Sequence, residues 1–124
     1  MVMAFEAEEV DGVLIISTPH MDLDASKAGE FKRTVELMVA GHPKVAIDLG
    51  EIGFMDSAGL GAIISVCKAV RAGGGQFRVF GLTEAVKSLF DLVRAHRLFE
   101  VFANRESAVR ACGEEADARG DRPQ

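Results

Sequence analysis

Four short apolar runs, VLIIST at 13–18, VAI at 45–47, QFRVFGL at 76–82 and LFEVFA at 98–103, are separated by segments of helical periodicity. That alternation leaves few folds open. Strands joined through helices of about 12 to 17 residues need crossovers, and crossovers make parallel neighbours in one sheet. Val45-Ala46-Ile47 is too apolar to have a wet face, as a central strand covered on both sides should be. Upstream, MAFEAEEV alternates apolar and polar residues, and Asp11-Gly12 is a turn signal, so residues 3–9 and 13–18 are expected to form a hairpin. Pro19 breaks that pattern. From Asp24, an N-cap residue by type, the spacing places Ala28, Phe31, Val35 and Met38 on one face of a helix that stops at Gly41. A second helix runs from Ser57 to the Gly73-Gly74-Gly75 turn. A third starts at Thr83 with an acidic first turn, and RESAVRACG reads as a last one. The expected order is β-β-α-β-α-β-α-β-α: an α/β domain with a four- to five-stranded mixed sheet and helices mainly on one face. It spans residues 1–113, and 114–124 form a tail with almost no apolar content, expected to be disordered.

The totals exclude several classes. The chain has 124 residues and a formal net charge of −5, without the basic stripe that nucleic-acid binding requires. No apolar stretch approaches the roughly 20 residues that span a bilayer, and the N-terminus lacks the pattern of a signal peptide, so a cytoplasmic protein is expected. Cys67 and Cys112 share no metal-ligand spacing with a histidine, so no metal site is expected, and Cys67 falls in an apolar helical pattern as a core residue would. There is no Gly-x-Ser-x-Gly elbow, no phosphate-binding Gly-Lys-Ser/Thr loop and no His-Glu-x-x-His. His20, His42 and His96 all fall in expected loops or helix ends, where a solvated histidine is commoner than a member of a Ser57 triad. Neither an enzyme nor a cofactor is expected.

The informative segment is FMDSAGLG, residues 54–61. Asp56 and Ser57 follow a buried strand and open a helix, so Asp56 is read as the cap. On that helix Leu60, Ile63, Ile64, Cys67 and Val70 form a core stripe. The other side carries Ala58, Gly61, Ala62, Ser65, Ala69 and Ala72, with Lys68 beside them, where a solitary helix would carry Lys and Glu. Alanine there can be helix propensity alone, but Gly61 costs about 1 kcal/mol in a helix interior. Small side chains let a partner approach closely, so this face is expected to dock a protein, with Asp24, Asp56, Ala58, Gly59, Gly61, Ala62, Ser65, Lys68 and Ala69 as its contact residues. A phosphate on Ser57 would sit at a helix N-terminus and put about −1.5 to −2 charges at the rim of that face. Ser57 reads as a switch.

The segment VAIDLGEIGFMDSAGLGAIISVCKAVRAGGGQFRVFGLTEAVKSLFDLV resembles the STAS domain of bacterial anti-sigma factor antagonists. The likeness rests on Asp56, Ser57, Gly59, Leu60, Gly61, Gly74 and Val86-Lys87-Ser88-Leu89-Phe90, with Leu23-Asp24, Ala28 and Phe31 matching the entry into the first helix. It implies a protein without catalytic activity that, unphosphorylated, binds an anti-sigma factor, often a Ser/Thr kinase, and so frees a sigma factor. It also implies that the kinase phosphorylates Ser57 and that a PP2C-type phosphatase restores it. Two positions depart from the family. Ala58 replaces the usual Ser or Thr, which leaves Ser57 as the only acceptor in the block. STPHMDLDAS lacks the usual Gly-Glu before Leu-Asp, in a loop that the resemblance puts near the phosphosite; His20 and Asp22 are its candidate contacts. The alternative is a STAS scaffolding subunit of a lipid-transport or stress-sensing assembly, with Ser57 never modified.

Overall fold

The structure, a computed structural model, describes residues 3–112. The hairpin pairs Glu6–Val10 (β1) with Val13–Ser17 (β2) antiparallel, Glu6 opposite Ser17 and Val10 opposite Val13. Asp11 and Gly12 both have positive φ, 52° and 81°, as a two-residue turn matched to the strand twist requires. Three parallel strands then extend the sheet: Lys44–Asp48 (β4), Gln76–Phe80 (β6) and Glu100–Phe102 (β7), in the order β1-β2-β4-β6-β7. The expected mixed sheet is therefore present with five strands. Its outer strand β1 exposes Glu6, Glu8 and Glu9, charges that discourage edge-to-edge pairing with another chain.

Two strands were not anticipated. Met21–Leu23 (β3) and Ile52–Met55 (β5) form a separate parallel pair, Leu23 beside Met55 and Asp22 beside Phe54. The segment 17–26, read above as a loop, thus contains a strand. At three and four residues these strands are too short to show any periodicity.

Helices Ala25–Val39 (α1), Ser57–Ala72 (α2) and Glu84–Val93 (α3) cover one face of the sheet. Alternation along the strands supplies the contact: Leu14, Ile16, Val45, Ile47, Phe77 and Val79 meet Phe31, Val35, Ile63, Val66 and Phe90 in one core. Phe99, after a 3-10 turn at Ala95–Arg97, joins α3 to the sheet, its ring edge-on to Phe77 and to Phe90, each with centroids 5.6 Å apart. The other face, with Val13, Ile15, Ala46 and Phe80, is covered by a fourth helix, α4, at 105–112 through Ala108 and Cys112. Arg105 at its start pairs with Glu8 of β1. Cys67 is buried as expected, and burial pushes its thiol up from the ordinary range, the opposite of what a reactive cysteine needs. The tail at 114–124 lies outside the described residues.

Candidate functional site

The small sheet places two similar units side by side. In each, a strand ends in a buried apolar residue, Leu23 or Met55, an aspartate follows, and a helix begins. The two strands run parallel with Leu23 and Met55 in register, so the aspartates, and the helix starts behind them, come together. Asp24 caps α1: Oδ1 accepts from the Ser26 amide at 3.0 Å and from its hydroxyl at 2.6 Å. The Ser26 hydroxyl bond holds the Asp24 carboxyl below the usual carboxylate range, with Lys27 adding to the effect.

Asp56 does more than cap. Its Oδ1 accepts from the Gly59 amide of α2 at 2.9 Å, and its Oδ2 accepts from the Ala25 amide at the start of α1 at 3.0 Å. The Asp56 amide donates to the Leu23 carbonyl at 3.3 Å. One carboxylate therefore satisfies first-turn donors of two helices. Beside it, Ser57 is exposed as the first residue of α2, and its hydroxyl has no hydrogen-bond partner among the described residues. Helix starts leave their first amides without partners, and among the described residues nothing accepts from the Ser57 and Ala58 amides next to that hydroxyl.

The expected docking face is narrower than the sequence pattern suggested. Gly59 is buried: a Cβ at that position would come within 2.0 Å of the Leu23 carbonyl oxygen. This glycine makes room for the chain's own β3–α1 junction, which corrects its assignment to a partner. Ala62 is also corrected, being 5% exposed and part of the core. Ser65 is half-buried, its hydroxyl donating to Glu36 Oε2 of α1 at 3.3 Å. Small residues on this side let α1 and α2 pack closely, and helical periodicity alone could not say that a neighbouring helix would cover them. Ala58, Gly61, Lys68 and Ala69 remain exposed, and Asp24 and Asp56 are half-buried.

Gly61 stands apart from Gly59. Nothing lies within 4 Å of the position its Cβ would take, so no contact within the chain requires a glycine there. Gly61→Ala is expected to stabilise the protein by about 0.5–1 kcal/mol through helix propensity, measured as an upward shift of the urea midpoint; a loss would mean that α2 itself needs the glycine.

Phe54 is an exposed residue at the head of this segment that the sequence pattern did not single out. It is 50% exposed on β5, beside Asp22 and two residues before the Asp56 cap. The available signal was a large apolar residue directly ahead of the motif, but without β5 its orientation could not be read. His20 Nδ1 lies 3.4 Å from Glu51 Oε1, both groups largely exposed. Among the described residues no cluster of His, Cys, Asp or Glu could hold a metal ion, and no helix is long and apolar enough to cross a membrane.

A five-stranded mixed sheet with a capped, serine-led helix beside a short parallel pair defines a class of domain, and a family model described as the STAS domain matches residues 4–108. The chain is a STAS domain protein of the anti-sigma factor antagonist family. It is 31% identical over 88 residues to the anti-sigma-B factor antagonist of Bacillus subtilis, covering 71% of this chain and 81% of the relative. With the anti-sigma-B factor antagonist of Listeria monocytogenes the identity is 30% over 91 residues, covering 68% and 80%. A crystal structure of an anti-sigma factor antagonist from Mycobacterium paratuberculosis superposes with a TM-score of 0.78 at 22% identity, over 89% of this chain and 93% of that one, which speaks for the fold alone.

Proposed function

We propose that the protein is an anti-sigma factor antagonist whose unphosphorylated form binds an anti-sigma factor, itself a Ser/Thr kinase, and thereby releases a sigma factor in the cytoplasm. Phosphorylation of Ser57 turns that binding off, and a PP2C-type phosphatase turns it on again. The protein performs no chemistry of its own. The observation that carries this reading is the Ser57 hydroxyl, exposed and without a hydrogen-bond partner among the described residues, at the start of α2 and at the rim of a face that is bare at Ala58 and Gly61. A kinase can reach that oxygen without unfolding anything. The phosphate would then occupy the edge of the docking face, where its charge and bound water would have to be stripped for the partner to approach. Ala58, Gly61, Lys68, Ala69 and Ser65 are the α2 contacts of this reading, joined at the rim by Asp24, Asp56 and Phe54.

Incubation with ATP and a candidate Ser/Thr kinase from the same genome, read by intact mass, tests it. One added phosphate is expected on the wild-type chain and none on Ser57→Ala. Labelling that persists in Ser57→Ala would move the switch elsewhere, and no labelling would favour the scaffolding alternative. A serine-directed fluorophosphonate should leave Ser57 unlabelled; reaction there would point to a hydrolase instead.

A further inference from the structure

Asp56 is the only residue of the motif bonded to both helix starts, and its two oxygens do different things. Oδ1 closes the first turn of α2 on the Gly59 amide, while Oδ2 reaches across to the Ala25 amide of α1. The same junction is held by the Asp56 amide on the Leu23 carbonyl and by the close seat of Gly59 against that carbonyl. We propose that Asp56 is a positioning residue that transmits the state of Ser57 to the β3–α1 junction, so that both segments of the docking face change together. This rests on the reading of Ser57 as the phosphorylated residue and deepens it.

The physical basis is competition at one helix end. A phosphate on Ser57 places a second, stronger anion beside the Asp56 carboxylate, and both seek the same positive end of α2 and its free amides. Like charges at that separation repel, and the phosphate can take over amides of the first turn. The carboxylate has one bond it can release without opening α2, and that is Oδ2 to Ala25. Asp24 keeps its bond from the Ser26 hydroxyl, so α1 stays folded, while its first residue, the Ser26 amide bond to Asp24 and the strand before it loosen. The phosphate thereby alters a segment it does not touch. Asp22 and Leu23 lie on that strand, and Asp22 is the residue paired with the exposed Phe54.

The test uses the full chain with phosphoserine installed co-translationally at position 57, so it needs neither kinase nor partner. Amide hydrogen exchange is followed by NMR. Phosphoserine is expected to raise exchange of the Ala25 and Ser26 amides roughly tenfold, the weight of one hydrogen bond to a charged acceptor. In Asp56→Asn, phosphoserine should produce no further rise at these two amides. Ala25→Pro gives a second arm: it removes the donor and displaces Asp56 Oδ2 from α1, while the Asp24 cap on Ser26 is left in place. Proline is well tolerated at the first helical position, and Asp24 at φ −111° and ψ −175° already has the extended backbone a following proline demands. Without the Ala25 N–H, the phosphate response at Ser26 should vanish. A response confined to residues 57–61, or one that survives in Asp56→Asn or in Ala25→Pro, would overturn the proposal. Absence of kinase labelling at Ser57 would instead count against the functional reading and leave this coupling measurable.

Discussion

Gly59→Ala should lower the stability of the protein by about 3 kcal/mol, although alanine is the better helix former. Propensity alone would favour the substitution by about 1 kcal/mol. The steric cost reverses the sign, because the new Cβ would lie 2.0 Å from the Leu23 carbonyl oxygen, 3.0 Å from its carbonyl carbon and 3.0 Å from Leu23 Cγ. The first two are backbone, so no rotamer change removes the clash. Either α2 must lift from β3 or the Leu23 carbonyl must turn away from the Asp56 amide. Both movements disturb the bonds that Asp56 makes to the two helices. Domains of ordinary stability hold only about 5–15 kcal/mol in total, so the loss should be plain in a urea titration. A Gly59→Ala protein as stable as wild type would mean that α2 does not press on the β3–α1 junction. The opposite sign expected at Gly61, two residues away, makes the pair a direct comparison of a glycine that the fold requires with one that it does not.

Phe99→Ala should cost about 3–5 kcal/mol, the usual range for removing a fully buried aromatic ring. Phe99 is 2% exposed and meets Phe77 of β6 and Phe90 of α3 edge-on, so its removal leaves a cavity and breaks two aromatic contacts. These contacts fasten α3 to the sheet, and Thr83 at the head of α3 fastens it to β5 by donating to the Ile52 carbonyl at 2.8 Å. Leu92→Ala on the outward side of the same helix, 81% exposed, should stay within about 0.5 kcal/mol of wild type. Equal losses at the two positions, measured by denaturant unfolding, would contradict this account of how α3 is held.

The legibility of this fold varied with the length scale of the signal. The central strands and long helices announce themselves through unbroken apolar runs and 3.6-residue spacing, and Asp24, Asp56 and Thr83 mark the helix starts where the structure has them. Phe31 and Val35 face the core as their spacing requires, whereas Met38 is only partly buried and Val39 lies inside. The short pair β3–β5 left no such trace, and its absence concealed both the exposure of Phe54 and the adjacency of Asp24 to Asp56. The small-residue face of α2 shows the other limit. Periodicity separates two sides of a helix, but Ala62 and Ala58 look alike until α1 is seen to cover one of them. Gly59 and Gly61 likewise differ only in what stands opposite, Leu23 in one case and open space in the other.

The claim that Ser57 switches a docking face is tested most directly by calorimetric binding of the anti-sigma factor from the same genome to two forms of the full chain. One carries serine at position 57 and the other phosphoserine. The unmodified protein should bind, and phosphoserine should weaken binding about a hundredfold or more, as expected when a phosphate must be desolvated at the rim of an interface. Equal affinities for the two forms would contradict the account.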